Sequence, residues 1–168
     1  IATITLTVFG PRVPQHSGHF GNYAPNPAQR LAALLAGMED DDGRVVLPGF
    51  YDGVGVDDAL RETLARTPRD EDALRQRLGI AAPDAVGRSY EESLQYPSLN
   101  VRGLRAAWVG EQARTIIPAS ATAELIIRDF DRDEVDRRLE FLRSLASTTE
   151  GAFPGGKISS EEDAAEPR

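Results

Sequence analysis

The first residues alternate strictly: Ala2, Ile4, Leu6 and Val8 are apolar, while Thr3, Thr5 and Thr7 stand between them. A period of two rich in β-branched residues predicts a half-buried strand with one face towards water. Gly10-Pro11 ends it. The period then changes. Asn26 can cap a helix with Pro27 in its first position, and Leu31, Leu34, Leu35 and Met38 follow as one apolar stripe. Glu39-Asp40-Asp41-Asp42-Gly43 is a turn signal. It lacks the alternating ligands and closing glutamate of an EF-hand calcium loop, so a solvated turn is expected.

Residues 45–47 predict a short strand broken at Pro48-Gly49, and residues 57–66 and 69–78 predict two short helices. Residues 81–97 carry mixed signals and read as irregular. A second long strand follows, with Leu99, Val101, Gly103 and Arg105 on one face and Asn100, Arg102, Leu104 and Ala106 on the other. Residues 122–130 form a third. Its Leu125-Ile126-Ile127 run is apolar enough to predict burial on both faces. A helix is expected over residues 133–145, with Val135, Leu139, Leu142 and Leu145 as its stripe and Asp131 near its start. From Ser147 the chain turns rich in Gly, Pro, Ser and acidic residues, which predicts a mobile tail over residues 147–168.

In order this reads strand, helix, insertion, strand, strand, helix. The expected fold is α+β: an antiparallel sheet of about four strands with two main helices on one face, ferredoxin-like. Residues 1–146 make the domain, with a helical and irregular insertion at about 44–97. A ferredoxin-like βαββαβ order needs one more strand after the last helix, and only Gly156-Lys157-Ile158 hints at it.

Composition narrows the function. With 19 basic against 27 acidic residues the net charge is -8 and the pI about 4.8. That balance offers no general attraction to nucleic acid or anionic lipid. No apolar run reaches the length of a membrane span. There are no cysteines, which excludes disulfides, thiol nucleophiles and cysteine zinc sites, and fits a cytoplasmic protein. The chain begins at Ile1, already inside a strand pattern, and reads as a segment of a longer protein.

The candidate chemistry concentrates in Gln15-His16-Ser17-Gly18-His19-Phe20-Gly21-Asn22, a glycine-punctuated loop holding the only two histidines. Loops held between rigid elements are where binding and catalytic side chains usually sit. The spacing of His16 and His19 invites a metal-pair reading. Gly18 between them and a non-helical context argue against a preformed zinc site, so no metal ligand is expected.

Several segments in order carry a resemblance. They are His16-Ser17-Gly18, Gly21-Asn22, Asn26-Pro27-Ala28 and Pro48-Gly49-Phe50-Tyr51-Asp52, then Pro97-Ser98-Leu99-Asn100-Val101-Arg102-Gly103-Leu104, Ala113-Arg114-Thr115-Ile116-Ile117-Pro118 and Ile127-Arg128. Over most of residues 1–146 the chain resembles the lid, or dimerisation, domain of the zinc aminoacylase, carnosinase and desuccinylase metallopeptidases, in their dipeptidase-like branch. The resemblance implies a homodimer formed through the lid. It also implies two zinc ions held by a catalytic domain absent from this chain, and a small peptide or N-acyl amino acid as substrate. Such a segment serves a hydrolase without hydrolysing alone.

By the same resemblance, His16 is the histidine that reaches into the partner's active site and stabilises charge developing on the carbonyl oxygen. Arg128 is the arginine that holds a substrate carboxylate, and Thr115 is a polar position near substrate. His19 reads as structural or as support for the loop. On residue chemistry alone other readings stand beside these: His16 as a helix cap, Arg128 paired with Asp129 or Asp131, Thr115 as a strand-edge threonine. Asn100, Arg102 and Tyr51 read as architecture, and Trp108 as either a subunit contact or a core residue. A free-standing, non-enzymatic module that dimerises or binds a carboxylated ligand is the alternative from another class.

Overall fold

The computed structural model describes residues 1–67, 69–129, 131, 133–142 and 158–163. The chain divides into two compact units, residues 1–36 with 99–168, and residues 37–98.

The first unit is built on strand β1 (Ala2–Phe9), and its alternation is borne out. Ala2, Ile4, Leu6 and Val8 are all buried. The short β2 (Gln15–His16) and a single helical turn, α1 (Ser17–Phe20), follow, and then α2 (Pro27–Ala36). Asn26 caps α2 as expected: its Oδ1 accepts from the Ala28 amide at 3.0 Å. Gly37 follows the last helical residue, so Met38 falls outside the helix rather than closing its stripe, although it is buried.

The remaining strands of this unit are β3 (Ser98–Arg105), β4 (Ile116–Ile117), β5 (Ser120–Arg128) and β6 (Ile158–Asp163). The main sheet has the order β3-β5-β1-β6, with β1 antiparallel to both its neighbours. The final helix, numbered α6 below, starts at residue 133 and is described to residue 142. Its Val135, Leu139 and Leu142 are buried, and Asp131 Oδ1 accepts from the Asp133 amide at 2.9 Å, capping it. Leu145 lies outside the described residues. The architecture is the expected α+β sandwich with a strand at each end of the βαββαβ order. Residues 158–163 supply the strand that only Gly156-Lys157-Ile158 had hinted at. The rest of the segment read as a mobile tail, residues 147–157 and 164–168, lies outside the described residues.

The β1–β5 register explains where the core lies. Ala2, Ile4, Leu6 and Val8 stand opposite Ile127, Leu125, Ala123 and Ala121, and directly opposed residues share a face. All eight are buried, and α2 packs against both strands. The other face carries Thr3, which is buried, and Thr5, Thr7, Thr122 and Glu124, which are half-buried or exposed. Burial of β5 on both faces is therefore overturned. Ile126 is only half-buried, because helices cover one face of the sheet and the alternation of Thr122 and Glu124 decides the other.

The second unit holds α3 (Asp58–Ala65), α4 (Glu71–Leu78) and α5 (Tyr90–Ser93). Asp57 and Asp70 cap the first two, each accepting an amide proton three residues on, at 2.8 and 2.9 Å. The acidic stretch is the turn expected of it: Asp40 Oδ1 accepts from the amides of Asp42 and Arg44. The strand expected at residues 45–47 is reduced to one bridge between Glu39 and Val45. The Val45 amide donates instead to the Tyr51 hydroxyl oxygen at 3.0 Å. Residues 81–97, expected to be irregular, contain α5, capped by Ser89, whose hydroxyl accepts from the Glu92 amide. Among the described residues no helix is long and apolar enough to cross a membrane.

Candidate functional site

His16 closes β2 and caps α1. Its backbone is extended, and its Nδ1 accepts from the Gly18 amide at 3.1 Å. Gly21 is needed for this shape, and Gly18 leaves room for the His16 ring. A Cβ on Gly18 would lie 3.0 Å from His16 Cε1, and one on Gly21 only 2.6 Å from the Ser17 carbonyl oxygen. The ring of His19 stands edge-on to that of His16, with centroids 5.1 Å apart and Nδ1 atoms 3.4 Å apart. Both histidines are exposed.

Thr115 is brought to this loop by β4. The β1–β5 ladder ends with Phe9 opposite Ser120, and the Gly10 amide donates to the Ala119 carbonyl at 2.8 Å. Pairing resumes with Gln15 opposite Ile117 and His16 opposite Ile116, and the Ser17 amide donates to the Thr115 carbonyl at 3.1 Å. The second ladder thus continues the first past its end, with residues 11–14 as the surplus. The Thr115 backbone meets the loop of His16 and His19 from a segment far away in the sequence, and Thr115 is exposed.

Arg128 is elsewhere. It closes β5, beside Ile127, which stands opposite Ala2. Along the nine residues of β5, at ~3.3 Å per step, Arg128 lies roughly 26 Å from Ser120. His16 and Thr115 lie beyond Ser120 on the far side. Arg128 is exposed and makes no ion pair among the described residues. The partners proposed for it on chemistry alone are engaged: Asp129 pairs with Arg138, and Asp131 caps α6. Arg138 is 3% exposed and also reaches Glu134 at 3.3 Å. This buried arginine went unremarked in the sequence, where the only signal is its four-residue spacing from Glu134 on a helix.

The other polar and aromatic candidates sort by surroundings. Arg102 on β3 reaches Glu124 on β5 at 3.5 Å, and Asn100 is exposed on the same strand. Tyr51 lies in the second unit under the Arg44 guanidinium, 4.2 Å from its ring centre, and burial raises its hydroxyl above the usual phenol range. Trp108 is 58% exposed, which removes the core reading. It lines a concavity of about 700 Å³ over the open face of the sheet, with Leu104, Ser120, Thr122 and Glu124. Among the described residues no three His, Asp or Glu side chains gather closely enough to hold a metal ion.

Comparison with known proteins agrees with this architecture. The model of the M20 peptidase dimerisation domain matches residues 1–153, and the chain belongs to that family. It is 29% identical over 134 residues to the Cys-Gly metallodipeptidase dug1 of Schizosaccharomyces pombe, covering 76% of this chain and 28% of that protein. It is 30% identical over 117 residues to the Beta-Ala-His dipeptidase of Homo sapiens, covering 67% and 23%. The solved dipeptidase Dug1p from Saccharomyces cerevisiae superposes with a TM-score of 0.78 at 20% identity, over 96% of this chain and 34% of that one. Human carnosine dipeptidase 1 gives 0.76 at 22%, over 95% and 35%. The chain therefore spans about a quarter of the length of these curated relatives.

Proposed function

We propose that this chain is the lid and dimerisation part of a zinc-dependent exopeptidase or amidohydrolase acting on small peptides or N-acyl amino acids. In this reading His16 serves the site of the partner subunit and Arg128 serves a site of its own subunit. The zinc ions, the attacking water and its base belong to residues outside this chain. The curated relatives are named Cys-Gly metallodipeptidase and Beta-Ala-His dipeptidase, and the matched segment covers 28% and 23% of their lengths.

One observation carries the division of roles. His16 with Thr115, and Arg128, occupy opposite ends of a strand roughly 26 Å long. A dipeptide spans only about 7 Å when extended. One copy of the sheet does not bring both groups to so small a substrate, whereas two copies related by a two-fold axis can. β3 is an edge strand exposing Val101 and Leu104, with Trp108 and Val109 just beyond it, and pairing of two such edges would cover it.

The chemistry suits the residue types. As an amide carbonyl is attacked, negative charge grows on its oxygen, and a fixed N–H donor lowers that barrier, typically by about 10²–10³ in rate. His16 offers such a donor at an exposed ring edge. The planar guanidinium of Arg128 can take both oxygens of a substrate carboxylate. Thr115, whose carbonyl accepts from the Ser17 amide, carries an exposed hydroxyl on the segment that pairs with this loop.

Subunit complementation in the full-length protein tests this. His16→Ala and Arg128→Ala homodimers should each lose most of their turnover. After subunit exchange of an equal mixture, about a quarter of all sites should combine an intact His16 with an intact Arg128 across the two-fold axis. No recovery in a mixture shown to contain heterodimers overturns the proposal. A full-length protein with unchanged turnover in the His16→Ala homodimer does so as well.

A further inference from the structure

We infer that His19 is a positioning residue that, together with the Gly18 amide, holds His16 in a single neutral tautomer, with its proton on Nε2. The inference rests on the reading of His16 as a donor to substrate. It adds what makes that ring a donor rather than an acceptor.

The Gly18 amide donates to His16 Nδ1 at 3.1 Å. A protonated ring nitrogen has no lone pair to receive it, so Nδ1 is the bare nitrogen and Nε2 carries the proton. The second contact shares that one lone pair. His19 Nδ1 lies 3.4 Å from the same His16 Nδ1, and since His16 has no proton there to give, His19 is the donor. The two histidines therefore carry opposite tautomers, His16 protonated on Nε2 and His19 on Nδ1. The edge-on arrangement, with planes at 72°, suits an N–H directed at a neighbouring ring nitrogen.

The local fold makes the contact. His16 caps α1 and His19 is its third residue. In a capping box the side chain at that position reaches back to the backbone amide of the cap. Here it reaches back to the side chain of the cap instead. The consequence for a reacting carbonyl is a matter of sign. His16 with its proton on Nε2 presents an N–H to the oxygen as charge develops, whereas the other tautomer would present a lone pair and repel it.

With only two histidines, nitrogen-15 NMR of this chain can read both rings directly. At a pH where both are neutral, long-range proton–nitrogen spectra should show His16 protonated on Nε2 and His19 on Nδ1. His19→Phe keeps a ring edge but removes the donor, and should bring the two His16 nitrogen shifts towards each other. His19→Asn places an amide N–H where Nδ1–H stood and should restore them, with the β1 and β5 backbone signals reporting an intact fold in each case. In the full-length protein the Phe variant should lower kcat with little change in KM, and the Asn variant should recover it. A wild-type His16 protonated on Nδ1, or unchanged His16 shifts in His19→Phe, overturns the inference. Failure of the functional reading appears separately, as normal turnover in His16→Ala, and leaves these shifts where they are.

Discussion

The amide of Gly18 donates to Nδ1 of His16, and the missing side chain of Gly18 is what lets the imidazole lie so close. A methyl group there would stand 3.0 Å from Cε1 and 3.1 Å from Nδ1, tighter than side-chain contacts usually are. The ring would have to give by a few tenths of an ångström.

Gly18→Ala should therefore leave the fold intact and shift the imidazole. In the full-length protein turnover should fall by roughly tenfold, since an ångström of misplacement already costs about 10². Melting should be unchanged. Steady-state kinetics beside a thermal scan checks both, and full turnover would mean that the ring's position is not under tight control.

Arg128→Lys should separate charge from geometry. An ammonium keeps the positive charge but loses the paired donors of the guanidinium. With hydrogen bonds to charged groups worth about 1.5–3 kcal/mol, the rise in KM for a substrate with a free carboxylate should be roughly tenfold or more. The matching carboxamide substrate should not distinguish the two proteins. Equal losses on both substrates would remove Arg128 from carboxylate binding.

Leu125→Ala probes the shared face of β1 and β5. Leu125 is 0% exposed and stands opposite Ile4. Removing a buried leucine costs about 2–5 kcal/mol, which for a chain of this size lowers Tm by roughly 10 °C. Differential scanning calorimetry reads it directly. A small change would mean that this face is looser than its burial indicates.

Glu39 offers a test of opposite sign. Burial, then the neighbouring charges of Asp84 and Asp40, push its carboxyl above the ordinary value of 4.5. The folded state therefore holds that proton longer than the unfolded chain does. Its contribution to stability is fully present below about pH 4.5 and is lost as pH rises through the raised value. Glu39→Gln should raise Tm at pH 7 by about 1 °C, a small gain because the side chain is largely exposed. At pH 3 it should change nothing, and a drop at pH 7 would show that the carboxylate is stabilised.

Much of this molecule is legible in the chain because its signals are local. The threonine alternation of β1 states both the strand and its buried face. Asn26-Pro27, Asp57 and Asp70 each start a helix through an atom only two or three residues away. The motif around His16 marks the loop that the structure turns into a cap. Where backbone pairing or layering decides, local pattern misleads. The Leu125-Ile126-Ile127 run is apolar throughout, yet Ile126 faces the uncovered side because helices lie over only one face.

The sequence by itself determined the element types, the apolar stripes and the candidate side chains, since period and capping are written in neighbouring residues. The tertiary structure alone decided three things. It made Ile158–Asp163 an edge strand although its side chains are mostly polar, because its place depends on hydrogen bonds to the β1 backbone. It joined Thr115 to His16 across a ladder, and it set Arg128 at the far end of β5. Distance in space between residues far apart in sequence is a property of the register between strands, and no single segment carries it.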